Sequence, residues 1–173
     1  MRELIVAAVT AIALCSTLAV SAAPPAKTAP TKAAPAKAVV PCPPTVPGKD
    51  EKCAMEVIAE LTAKKHIGLY FLEYEDEGWV AKKRSGSMEV ELKVNTKTLK
   101  THVESKDECE DLPPAKDEKS MEDIAKLAMT KHPDGAIVSM EYDNAEWEVE
   151  MVVGGKTLIL TYSAKNGELL DEY

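Results

Sequence analysis

Three histidines, three cysteines beyond residue 40 and one dense carboxylate run are the side chains whose chemistry could be put to work here. His66 and His132 each follow a lysine and each stand alone. With no second histidine or cysteine at ligand spacing, neither makes a zinc site. At a helix C-terminus an imidazole is an ordinary cap or dipole partner. His102, in a Lys- and Thr-rich segment, adds no constellation. Glu73, Glu75, Asp76 and Glu77 before Gly78 raise the question of calcium, but an EF-hand loop needs Asp or Asn at alternating positions and a closing Glu. Tyr74-Glu75-Asp76 breaks that order, so a solvated hairpin tip is expected. No G-x-S-x-G, P-loop or H-E-x-x-H string occurs. The reading is a non-enzymatic chain with no catalytic residue, no metal and no cofactor.

The segments that carry these residues differ sharply in composition. Residues 1–22 read as an export signal: Arg2 opens it, Leu4 to Val20 is mostly apolar, and Val20-Ser21-Ala22 places small residues before a cleavage point at Ala23. Leu14 stands before Cys15 where a lipobox wants Gly, Ala or Ser, which argues against lipidation. A periplasmic or secreted location follows, with no membrane span left after cleavage. Residues 23–49 are almost entirely Ala, Pro, Lys, Thr and Val, the composition of a semi-rigid tether. Residues 50–173 hold 16 basic and 28 acidic side chains, a net charge of −12. Nucleic acid is excluded as a partner, because phosphate backbones reward clustered Lys and Arg.

In an exported chain Cys42, Cys53 and Cys109 can oxidise, and their odd number leaves one thiol over. No C-x-x-C pair is present for thiol–disulfide catalysis. A Cys42–Cys53 bond would close a short Pro-rich loop. An odd number of antiparallel strands after a helix would return the last strand to the helix start, which favours Cys53–Cys109.

An internal repeat organises the remainder. AMEVIAELTAKKH (54–66) lies over SMEDIAKLAMTKH (120–132) at an offset of 66, with seven of thirteen residues identical. LEYEDEGW (72–79) lies over MEYDNAEW (140–147) at an offset of 68. Met121, Ile124, Ala125 and Ala128 form an amphipathic stripe, opened by Ser120 with Asp123 as a capping box and stopped by Pro133-Asp134-Gly135. Val138-Met140-Tyr142, Trp147-Val149-Met151 and Leu158-Leu160-Tyr162 alternate with polar residues as strands do, and Asp143-Asn144 and Gly154-Gly155 supply the turns. The expected fold is α+β: two repeated units, 50–110 and 115–173, each a helix packed on a small antiparallel sheet of three to four strands. Units of about sixty residues are marginal alone, so the two are expected to pack together or share a sheet.

The second unit resembles the PepSY domain through AKLAMTKHPDGAIVSMEYD, WEVEMVV, TLILTYS and the closing AKNGELL, with Ser163 where that family usually has Asp. The first unit departs from the pattern with KKRSGS in its middle hairpin and NTKTLK in place of the Gly-Glu ending. The resemblance implies extracytoplasmic protein binding. PepSY domains occur in propeptides of thermolysin-type metallopeptidases, and a related branch resembles the beta-lactamase inhibitory protein, which grips its enzyme with a sheet. No peptidase follows Tyr173, so the partner, a peptidase or other hydrolase, is expected on a separate chain. An envelope-associated module tethered by its Pro-rich arm is the alternative.

Strand parity then separates core from surface. Trp79 and Trp147 fall on the helix-facing side and are read as core. The opposite face of the first unit carries Leu69, Phe71, Val80, Lys82 and Arg84, the candidate partner-binding residues; that of the second carries the acidic strip Glu141, Glu146, Glu148 and Glu150. Apolar residues off the helix side must be covered, either by packing of the two units against each other or by a partner.

Overall fold

A computed structural model of the chain describes residues 46–75, 78–108 and 112–173. The export signal, most of the linker, Cys42, Asp76, Glu77 and Cys109 lie outside the described residues. Two runs of one helix and four strands follow each other: α1 (Ala54–Ala63), β1 (Leu69–Glu75), β2 (Gly78–Ser85), β3 (Met88–Val94) and β4 (Thr101–Glu108), then α2 (Met121–Lys131), β5 (Ala136–Asp143), β6 (Glu146–Val153), β7 (Lys156–Ser163) and β8 (Leu169–Glu172).

The expectation of two repeated units, each a helix on its own small sheet, is overturned. All eight strands form one antiparallel sheet in the order β4-β3-β2-β1-β5-β6-β7-β8. The seam is the β1–β5 pair, with Phe71 opposite Glu141, Leu72 opposite Met140 and Glu73 opposite Ser139. Pairing here satisfies backbone groups that two separate sheets would leave on open edges. It also places both helices on one face over a single core that runs from Val57, Ile58 and Leu61 across Leu72, Trp79 and Leu92 to Ile124, Met140, Trp147 and Leu160. The two halves therefore do not cover each other's outer face; they extend it.

Burial fixes the helix register. The buried stripes are Ala54, Val57, Ile58, Leu61 on α1 and Met121, Ile124, Ala125, Ala128 on α2, each at i, i+3, i+4, i+7. These superpose at an offset of 67, as do the caps: Cys53 N–H donates to Glu56 at 3.1 Å, and Ser120 N–H donates to Asp123 at 3.2 Å. The identity-based offset of 66 is thus one residue out of register in the helices. It would set buried Val57 on exposed Asp123 and buried Leu61 on Leu127, which is 38% exposed. In the strands the offset of 68 holds, since Leu72 and Met140, and Trp79 and Trp147, all lie fully buried at matching places.

Both seam strands carry a register shift at the same place, between Leu69 and Phe71 and between Ile137 and Ser139. Such a bulge turns the following side chain to the other face. Leu69 and Ile137 stay in the core, while Tyr70 reaches Glu89 on the uncovered side. Leu69, expected on the outer face, is therefore a core residue. Simple alternation cannot see the extra residue that shifts it.

The Cys53–Cys109 pairing involves a residue outside the described ones, so only its first partner is seen. Cys53 is an exposed free thiol at the start of α1. Trp79 anchors that start, its indole N–H donating to the Lys52 carbonyl at 2.9 Å. Four strands follow the helix, an even number, and β4 ends where Glu108 pairs with Met88.

Candidate functional site: the uncovered sheet face

Outward positions of β1, β2, β5 and β6 converge at the centre of the face that no helix among the described residues covers. Phe71 lies opposite Lys82 on β2 and Glu141 on β5, and Glu141 in turn lies opposite Glu148 on β6. One step along, Val80, Glu73, Ser139 and Glu150 form the next row. The predicted residues Phe71, Val80, Lys82, Arg84, Glu141, Glu146, Glu148 and Glu150 thus share one continuous surface, which two separate units would have divided. Leu69 is the exception.

The first half of this surface is internally tied. The Lys82 ammonium stands 5.4 Å from the Phe71 ring centre and 3.3 Å from a Glu89 oxygen, and the Tyr70 hydroxyl also donates to Glu89. Val80 is buried among these long side chains, so Phe71, half-buried, is the apolar group that remains partly presented. Further out, Glu104 lies 3.7 Å from Lys93 and 3.2 Å from His102. Arg84 donates through Nε to the Gly86 carbonyl at 2.8 Å, which holds it along the hairpin.

The second half has carboxylates without cations among them. A shallow depression is lined by Glu141, Asp143, Asn144, Glu146, Glu148 and Thr161. Glu73 feels this field: burial, then the Glu75, Glu150 and Glu141 carboxylates, push its carboxyl above the usual range, against the pull of Lys82. Among the described residues no group of three or more His, Cys, Asp or Glu side chains is arranged to hold a metal ion.

Pattern reading missed a polar motif on the covered side that occurs in both halves. Tyr74 donates to Glu51 at 2.6 Å, and Tyr142 donates to Glu118 at 2.8 Å. Each tyrosine packs beside its tryptophan, with ring centres 5.1 and 5.4 Å apart. Each indole donates to the carbonyl just before a helix, at Lys52 and at Lys119. Burial and Glu118 together push the Tyr142 hydroxyl up to about 12. Glu51, which accepts from Tyr74, Gly48 and Thr96, is held below the glutamate range. The Glu–Tyr spacing, 23 residues in one half and 24 in the other, was the available signal.

His66 and His132 both lie at helix ends, as expected, but in different company. His132 Nε2 stands 3.2 Å from a Glu172 oxygen on β8, and His66 Nδ1 has no carboxylate within ion-pair distance among the described residues; neither nitrogen makes a well-formed hydrogen bond. No helix among the described residues is long and apolar enough to cross a membrane.

No protein-family model matches the chain, and no curated protein matches it. Among solved structures, one described as a "putative lipoprotein" from Clostridium difficile is similar over 72% of this chain and 95% of that one, at 13% identity and a TM-score of 0.42. A likeness at that level carries no argument about this chain.

Proposed function

We propose that this chain is an exported, non-enzymatic PepSY-like protein that binds and inhibits an extracytoplasmic protein, a peptidase being the leading partner, with the uncovered face of its sheet. The observation that carries the reading is the face itself, with Phe71 and Lys82 beside an acidic strip and no helix among the described residues laid over them. Exposed apolar groups rimmed by charge are what recognition surfaces present. Inhibition would be steric: the sheet covers the enzyme's cleft, Phe71 supplies the apolar anchor, and the charged rim steers approach. The apolar stretch at 4–20 and the small residues before Ala23 support export to the periplasm or medium.

The test is to assay purified peptidases exported by the same organism with and without the full chain. At least one should lose activity at stoichiometric chain, and Phe71→Asp should restore it. Undiminished activity of every peptidase, together with no complex by size-exclusion chromatography, would overturn the reading.

A further inference from the structure

The helices run antiparallel, so each end of the helical layer sets one helix C-terminus beside the other's N-terminus, and a cleft opens at each end. The larger, about 310 Å³, lies between the end of α1 and the start of α2, with Thr62, His66, Ile67, Leu69 and Pro114 in its walls. Its counterpart, about 180 Å³, lies between the start of α1 and the end of α2 and includes Glu51, Cys53, Met55 and Met129.

Their charges differ. The smaller cleft has Glu51 and no Lys or Arg in its lining. In the larger one the two acids are already engaged: Glu118 accepts from Tyr142 at 2.8 Å and from Ala115 N–H at 2.7 Å, and Glu122 pairs with Lys126 at 2.7 Å. Lys116 lines the same cleft, and Lys83 lies opposite Leu69 in the sheet register. Neither lysine has an ion-pair partner among the described residues. Burial, then Lys83 and Lys64, keep the His66 imidazole towards its neutral form. At its mouth Ile67 stands 80% exposed. A mostly apolar concavity of this size with Lys116 in its lining and Lys83 across from its Leu69 wall has the make-up of a small-ligand site, at the low end of the roughly 300–1,000 Å³ such sites occupy.

We infer that the larger cleft binds a small amphiphilic carboxylate, its apolar body against Ile67, Leu69 and Pro114 and its carboxylate towards Lys83 and Lys116. This site lies on the helical side, apart from the uncovered sheet face, and does not depend on what that face binds.

The test titrates the full chain with decanoate while following Ile67 and methionine methyl signals by NMR, with decanol and decyltrimethylammonium as neutral and cationic controls. Saturable shifts are expected at Ile67 and Met121 and not at Met55 or Met129. Decanol should bind at least tenfold more weakly, and the cation should not saturate. The pair Lys83→Glu and Lys116→Glu should weaken decanoate at least tenfold, while Lys83→Arg with Lys116→Arg retains it; an unchanged circular dichroism spectrum confirms that each variant is folded. Absence of saturable shifts, equal shifts at both clefts, or decanol binding as tightly as decanoate would overturn the inference.

Discussion

The two halves of the sheet agree on the face they bury and differ on the face they show. On the covered side Leu72, Trp79 and Leu92 have Met140, Trp147 and Leu160 at matching places, all of them fully or almost fully buried. On the uncovered side Val80 and Lys82 are matched by Glu148 and Glu150, and Phe71 by Ser139. Packing against a helix tolerates few alternatives, so the interior of the two halves stays alike. The outer face is free to differ. That difference gives the surface one half of mixed charge that carries the aromatic ring and one acidic half, an asymmetry that two like halves would lack.

The inner likeness should break most visibly at the tryptophans. Trp79→Ala and Trp147→Ala should each cost about 3–5 kcal/mol by urea denaturation, and by similar amounts, because both indoles are fully buried and both donate to a helix-leading carbonyl. A large loss at one and a small loss at the other would mean that the halves do not share one core. Smaller effects sharpen the comparison at the helix starts. Ser120→Ala should cost about 1 kcal/mol, since its hydroxyl accepts from Asp123 N–H at 3.3 Å. Cys53 occupies the same place in the first half, so Cys53→Ser should leave stability unchanged or raise it by a few tenths of a kcal/mol.

The outer contrast is testable through pH. Glu73 has its carboxyl raised by burial and by Glu75, Glu150 and Glu141, so the folded chain holds that proton more readily than the unfolded one. Folded stability therefore falls as pH rises through the raised value. Glu73→Gln should be the more stable form at pH 7, by a few tenths of a kcal/mol as for other like charges paired across strands. The advantage should vanish below the ordinary glutamate range, where both side chains are neutral. Thermal melts at pH 7 and pH 3 check this.

Much of the scaffold was legible because it rests on periodicity. The α2 stripe, its Ser120–Asp123 cap, the three longer strands of the second half and the buried tryptophans all follow from apolar spacing. A shared sheet was one of two expectations, but that β1 and β5 make the seam was not legible, because edge-to-edge pairing uses backbone groups that every sequence has. The fourth strand of each half was hidden too: β4 is THVESKDE, polar on both faces at the sheet's edge. The helix register slipped because the matching Met, Glu and Lys identities at the offset of 66 include exposed positions, and only burial pins a register. Of the candidate site, parity placed all but Leu69, which the bulge before Phe71 keeps in the core.

The claim that the uncovered face receives the partner is tested most directly by photocrosslinking. A benzophenone amino acid would replace Phe71 or Glu148 on the uncovered face, or Lys126 on exposed helix α2. Crosslinks to an inhibited peptidase from positions 71 and 148, and none from 126, are the predicted result. Crosslinking from 126 with silence at 71 and 148 would contradict it.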